Sequence, residues 1–278
     1  MTSAKPPRIV LITGASSGIG KSCADYLQQR GYRVYGTSRG AAFPSAACAT
    51  DVTMIPMDVG SEASVRQAVQ WILAREGRLD VVVNNAGHGI AGAIEDTSIA
   101  EAQAQFDTNF FGMLRVCHAT LPVLRQQGSG YLINISSIAG RIGVPFQGLY
   151  SASKFAMEGL TEVLRAEVRP YGIRVALIEP GDFHTGFTAQ RSIATAAQTP
   201  GSYNQRFRTA LGVMEKDETA GATPAAVARL LERIIDTPSP KLRHLVGPTA
   251  QKLSVSLLQK LLPQKTFEAI IDKYYGIG

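Results

Sequence analysis

Seven short runs rich in Val, Ile and Leu recur along the chain, mostly with longer stretches of helical period between them, and this alternation restricts the fold more than any other feature. The runs occupy 8–13, 32–37, 53–57, 79–84, 130–136, 173–179 and 242–246. Between them, 18–30, 62–75, 100–126, 149–171 and 224–236 carry apolar residues at three- and four-residue steps, as amphipathic helices do. Strands apolar throughout their length, linked by helices, predict a parallel sheet covered on both faces. The expected fold is therefore α/β, one doubly wound domain over residues 1–278 built on a seven-stranded parallel sheet.

Two regions depart from this rhythm. Residues 182–222, rich in Thr, Ala, Gln and Gly, have no clear period and are too long for an ordinary connection, which predicts a substrate-binding lid or loop, or else disorder. Past residue 247, Leu253, Leu257, Leu258, Leu261 and Leu262 share a helical spacing, Pro263 interrupts it, and Phe267, Ile270, Ile271 and Tyr274 resume it. From residue 241 onward there are six Lys or Arg against two Asp or Glu. The extension 249–278 thus reads either as a helix closing a pocket or making a subunit contact, or as a peripheral contact with an anionic bilayer.

Several function classes are disfavoured. The net charge is +6, yet the 28 basic residues are scattered, so no nucleic-acid surface is expected, and a basic surface equally attracts an anionic cofactor. Cys23, Cys48 and Cys117 are odd in number and lack paired spacing, which predicts neither a disulfide framework nor a metal site, and a reducing, cytoplasmic setting. No apolar run reaches the roughly 18 residues of a spanning helix, and the first eight residues are too polar for a signal peptide.

The segment Thr13-Gly14-Ala15-Ser16-Ser17-Gly18-Ile19-Gly20 follows the first strand and opens the first helix. Glycines there let backbone amides approach a diphosphate, whose charge the helix N-terminus stabilises. The same residues satisfy a relaxed P-loop pattern, Ala15 to Gly20-Lys21-Ser22, which would make the chain a nucleotide phosphotransferase. Against that, Ala15 replaces the first glycine, and the fourth run ends in Asn84-Asn85-Ala86-Gly87 rather than a magnesium-holding Asp. The second run ends Ser38-Arg39 where a carboxylate for the ribose 2′-hydroxyl would stand, so NADP(H) is the expected cofactor, with Arg39 and Ser38 meeting the 2′-phosphate. Asp58 either meets the adenine amino group or, like Ser61, caps a helix.

Tyr150 and Lys154 lie one helical turn apart, and an ammonium beside a phenol favours the phenolate, which suits acid/base work. Ser136 and Ser137 end the fifth run, at the carboxyl edge where this fold binds ligands. Asn109 is a polar residue in an apolar helical stretch, so it either satisfies backbone and water or serves a proton path. His184 reads as a substrate contact or a structural histidine.

With these pieces together, the chain resembles the short-chain dehydrogenase/reductase family over 8 to about 190, through Thr13 to Gly20, Asn84 to Gly87, Asn109, Ile135-Ser136-Ser137, Tyr150-Ser-Ala-Ser-Lys154, and Pro180-Gly181 with Thr185. The resemblance implies a Rossmann-type fold, carbonyl–alcohol interconversion, and a homodimer or homotetramer. It implies that Tyr150 protonates the carbonyl oxygen, Lys154 lowers its pKa and binds the nicotinamide ribose, Ser137 polarises the carbonyl and Asn109 holds a relay water. Cofactor contacts would come from Gly14, Ser16, Ser17, Gly18, Ile19, Gly20, Ser38, Arg39, Asp58 and Val59. Asn85, Ala86 and Gly87 would line the adenosine side, and Pro180, Gly181 and Thr185 the nicotinamide end. The wording around Val34–Arg39, Tyr150–Leu160 and Glu179–Phe187 is similar to the 17β-hydroxysteroid and retinol dehydrogenase branch, which implies a bulky apolar substrate of steroid, retinoid or lipid type. A non-catalytic NADP(H)-binding sensor is the further alternative.

Overall fold

The computed structural model describes residues 6–48, 50–253 and 261–278. Strands β1 (Ile9–Ile12), β2 (Arg33–Ser38), β3 (Thr53–Pro56), β4 (Val81–Asn84), β6 (Gly130–Ile135), β7 (Ile173–Pro180) and β9 (Arg243–Val246) form the predicted parallel sheet in the order β3-β2-β1-β4-β6-β7-β9. Helices α1 (Gly18–Gln29) and α8 (Ala225–Asp236) cover one face; α2 (Glu62–Glu76), α4 (Gly112–Gln127) and α5 (Gly148–Val168) cover the other.

The strand sequences explain both layers. Side chains alternate in direction along a strand, so Val10, Ile12, Val81 and Val83 enter the core beneath α1 and α8, whereas Ile9, Leu11 and Val82 enter the opposite core. Cys23 and Cys117 are buried in different cores, and all three cysteines are free thiols.

The expected helix over 100–126 is interrupted. A helix α3 (Ile99–Phe106), opened by a Ser98–Glu101 capping box, passes into one π-turn, Asp107–Phe111, before α4 begins. Such an extra residue often marks a functional site, and here it carries Asn109 inside, fully buried.

The excursion 182–222 is folded. It holds α6 (Phe187–Gln190), α7 (Asn204–Thr219) and a short strand β8 (Ser192–Ile193) paired in parallel with β5 (Ile90–Ala91). Glu101 ties it down, accepting from the Thr195 backbone N–H at 2.8 Å and its hydroxyl at 2.9 Å. Those bonds, after the Ser98 hydroxyl, hold the Glu101 carboxyl down at about 2.

Within the C-terminal extension, α9 (Thr249–Leu253) and α10 (Gln264–Tyr275) flank residues that are not described. Of the expected leucine set, Leu257, Leu258 and the side chain of Leu253 lie outside the described residues. The helix α10 buries Phe267 against Ile142, and Tyr275 and Ile277 pack with Ala210 and Met214 of α7. No helix among the described residues is long and apolar enough to cross a membrane.

Candidate active site

The sheet order reverses between β1 and β4, and a cleft of about 700 Å³ opens there over the carboxyl ends of the strands. Its wall begins with the glycine turn. Gly14 has φ +64°, and a Cβ on it would sit 2.9 Å from the Ala86 Cα. A Cβ on Gly20 would lie 2.3 Å from the Gly14 carbonyl oxygen and 2.4 Å from Asn85 Nδ2. Asn85 locks the turn by donating from Nδ2 to the carbonyls of Thr13 at 2.9 Å and Gly14 at 3.0 Å. Thr13 Oγ1 in return accepts from the backbone N–H groups of Asn85 and Ala86, both at 2.9 Å. The motifs after β1 and β4 are therefore one structure. Together they leave, at the N-terminus of α1, a side-chain-free cradle of the kind a diphosphate needs.

All the predicted cofactor residues line the cleft except Gly20, which lies beneath the turn. Arg39 is exposed on the rim and has no carboxylate partner among the described residues. Asp58 lines the cleft too. Its Oδ1 accepts from the Gly60 N–H at 2.9 Å, while Ser61 is the residue that caps α2. Lys21 points elsewhere, pairing with Asp25 on the exposed face of α1 at 2.5 Å, so nothing in the cleft corresponds to a P-loop lysine.

Ser137, Tyr150 and Lys154 converge on the same wall. Ser137 Oγ accepts from the Ala139 N–H at 3.1 Å, and its side chain acts to lower the Tyr150 phenol. Lys154 is buried, and Nζ donates to the Ile135 carbonyl at 2.8 Å and lies 5.8 Å from the Tyr150 ring centre. Burial pushes the Tyr150 phenol up to about 12, against the Ser137 hydrogen bond, and pushes Lys154 down to about 8. Desolvation of both groups thus outweighs the mutual effect expected from their spacing.

Asn109 takes a structural place. Its Oδ1 accepts from the His88 N–H at 3.0 Å, and Nδ2 donates to the His88 carbonyl at 3.0 Å and to Ser153 Oγ at 3.2 Å. Both amide hydrogens are committed, so a relay water on Asn109 would bond to one of its oxygens. Ser153 donates on to the Tyr150 carbonyl at 2.7 Å, so the π-turn, the His88 loop and the tyrosine's helix are joined. Gln105, unremarked in the sequence, completes the clamp: Oε1 accepts from the Ile90 N–H at 2.8 Å and Nε2 donates to the His88 carbonyl at 2.7 Å. A helical period that buries a Gln every fourth residue from an Asn was the available signal.

At the substrate end the cleft is lined by Val144, Phe183, Phe187, Met214 and Tyr275, with Asp182 and Glu218 as polar elements. The Tyr150 and Phe187 rings lie 5.7 Å apart. Gln251 of α9 donates to the Asp182 carboxylate and accepts from the Asp182 N–H at 2.9 Å; even so, burial lifts Asp182 to about 6. His184 bonds the Thr219 carbonyl at 2.8 Å and lies outside the cleft lining. Arg191, its side chain 2% exposed, pairs with Glu218. Removing one partner of such a pair strands a buried charge, so Glu218→Gln is expected to cost about 3 kcal/mol. Calorimetry should then record a Tm lower by roughly 6–10 °C, and an unchanged Tm would rule the buried pair out.

Comparison with known proteins places this geometry. The family model described as short chain dehydrogenase matches residues 8–195. A 3-ketodihydrosphingosine reductase of Bacteroides thetaiotaomicron is 44% identical over 271 residues, covering 98% of this chain and 99% of the relative. Bovine retinol dehydrogenase 8 is 37% identical, covering 87% of this chain and 82% of the relative. Among solved structures, a short-chain dehydrogenase from Streptomyces avermitilis matches with TM-score 0.78 and 30% identity, over 98% of this chain and 97% of that one.

Proposed function

The chain belongs to the short-chain dehydrogenase family of nicotinamide-dependent oxidoreductases, and from that premise we propose that it interconverts a ketone and a secondary alcohol on a long-chain, lipid-like substrate, using NADP(H). The observation that carries this reading is the convergence of Ser137, Tyr150 and Lys154 on the wall of the cofactor cleft.

In the direction of reduction, the nicotinamide supplies the hydride to the carbonyl carbon. Tyr150 donates its phenolic proton to the carbonyl oxygen, and Ser137, on the same wall of the cleft, steadies the negative charge that develops there. Lys154, held by the Ile135 carbonyl, presents a cation to the phenolate left behind. The side chain of Asn109 fixes the His88 loop against this helix.

The 44% identity to a 3-ketodihydrosphingosine reductase, spread over nearly the whole of both chains, makes a long-chain keto lipid the first substrate to try, ahead of a retinoid. The apolar lining and the cover of α10 with Tyr275 suit an alkyl tail. Mixing the protein with NADPH and 3-ketodihydrosphingosine should consume NADPH absorbance. Absence of turnover on this ketone, on all-trans-retinal and on steroid ketones would overturn the reading.

Arg39 supports NADP(H) over NAD(H), since it is an unpaired guanidinium on the rim after β2. Arg39→Ala is expected to lower kcat/KM for NADPH by about 10- to 100-fold while NADH changes by less than about threefold. Equal loss with both cofactors would remove Arg39 from phosphate recognition.

A further inference from the structure

Tyr150, Lys154 and Glu158 stand at successive turns of α5, and the last of them has no part in the chemistry above. Glu158 is 4% exposed, at least as buried as Lys154 at 5%. A carboxylate is rarely taken so far from water without a partner. Here Oε2 accepts from Arg243 Nε of β9 at 2.8 Å, but Oε1 has no hydrogen-bond partner. Ser136 Oγ, 3% exposed, is likewise unpartnered.

Ser136 Oγ and the stem of the Glu158 side chain both lie beside Gly140. A Cβ built on Gly140 would lie 2.8 Å from Ser136 Oγ, 3.1 Å from Glu158 Cγ and 3.2 Å from the Lys154 carbonyl. The bare glycine lets the turn after β6, which carries Ser137, close onto the turn of α5 that carries Lys154 and Glu158. Around this point the charged groups are Glu162 of α5, Arg141 beyond the β6 turn, Glu179 of β7 and Arg243 of β9. Arg141 pairs with Glu179 at 3.1 Å, and Arg243 with Glu162 at 3.0 Å. On the cleft side, Asp182, Glu218 and Arg191 act on Tyr150.

We propose that Glu158 is a positioning residue for the reaction: anchored by Arg243, it is the countercharge that keeps Lys154 a cation in a site from which water is excluded. The two residues are one turn apart on α5, and both are buried. Burial drives the lysine down to about 8, and Glu158 is the charge that opposes it. Glu158 also adds to the upward shift of Glu179, which burial begins. The sign follows: with Glu158 neutral, Lys154 loses its proton at lower pH, and the phenolate left by proton transfer loses its cation near neutrality.

This inference rests on the reading of Lys154 as part of the catalytic wall, so its test reads the lysine itself. In the full chain carrying ¹³C-labelled lysine, the Cε resonance of Lys154, assigned by its absence in Lys154→Arg, is titrated with pH. In Glu158→Gln the midpoint is expected to fall by at least about half a unit, roughly threefold in the proton-binding constant. With turnover, the alkaline limb of kcat/KM should move by the same amount, so that activity at pH 8 falls more than at pH 6. Glu158→Asp keeps the charge one methylene further back and should move both readouts less, in the same direction; it replaces the glutamine variant should that one not fold. An unchanged midpoint in the variant that folds, or a uniform loss of kcat with the pH profile in place, overturns the proposal. Failure to reduce any carbonyl would count against the proposed function and leave the titration standing.

Discussion

Tyr150→Phe is expected to bind NADPH within about threefold of the parent and to lose roughly three orders of magnitude in kcat. The two halves of that result come from different parts of the cleft. Binding draws on the glycine cradle, Arg39 and the β4 turn, none of which touches the phenol oxygen. The ring itself stays, packed beside Phe187 at 5.7 Å, so the phenylalanine keeps its place. What disappears is the proton donor. Stopped-flow fluorescence for NADPH and steady-state turnover on the same ketone separate the two. Turnover within tenfold of the parent would remove Tyr150 from the proton-transfer role.

Gly20→Ala should do the reverse, lowering NADPH affinity by about a hundredfold or more while the sheet remains intact. One methyl group must enter a space already filled: its Cβ would stand 2.3 Å from the Gly14 carbonyl oxygen and 2.4 Å from Asn85 Nδ2. Neither atom can retreat freely. The carbonyl belongs to a residue at φ +64° backed by Ala86, and the amide is the bolt between the β1 and β4 turns. Relief therefore comes from opening the cradle, and a hundredfold is about 2.7 kcal/mol of lost binding. Circular dichroism should be unchanged, and isothermal titration with NADPH should show the loss. Unimpaired affinity would mean the diphosphate does not sit in this turn.

The sheet was legible because its central strands are apolar on both sides, as Ile9 to Ile12 and Val81 to Val83 illustrate, and only a strand buried on both faces can be so. Part of the site was legible at strand ends, where Ser137 and Asn85 follow apolar runs, and part in the one-turn spacing of Tyr150 and Lys154 on α5. Two things escaped. The helix α7 buries Phe207, Ala210, Leu211, Met214 and Glu218 at helical intervals, but two of the five are small or charged and Gly212 lies among them, so the period was faint. The π-turn escaped because one inserted residue leaves composition and spacing almost as a continuous helix would have them. With it escaped the second task of Asn109, whose side chain clamps the His88 loop. Contacts such as Gln251 on Asp182 have no local trace, since they join residues 69 apart.

That last contact bears on how the protein is made. A chain emerging from its N-terminus can build β1 to β7, the glycine turn and the catalytic wall before β9 and α9 exist. Until Gln251 arrives, the N–H and the buried carboxyl of Asp182 lack their partner, and the floor of the substrate end stays loose. The diphosphate cradle, built from residues 13–20 and 85–86, can thus form before the substrate half. A nascent chain held on the ribosome short of residue 251 should be able to recognise a dinucleotide before it can choose a substrate.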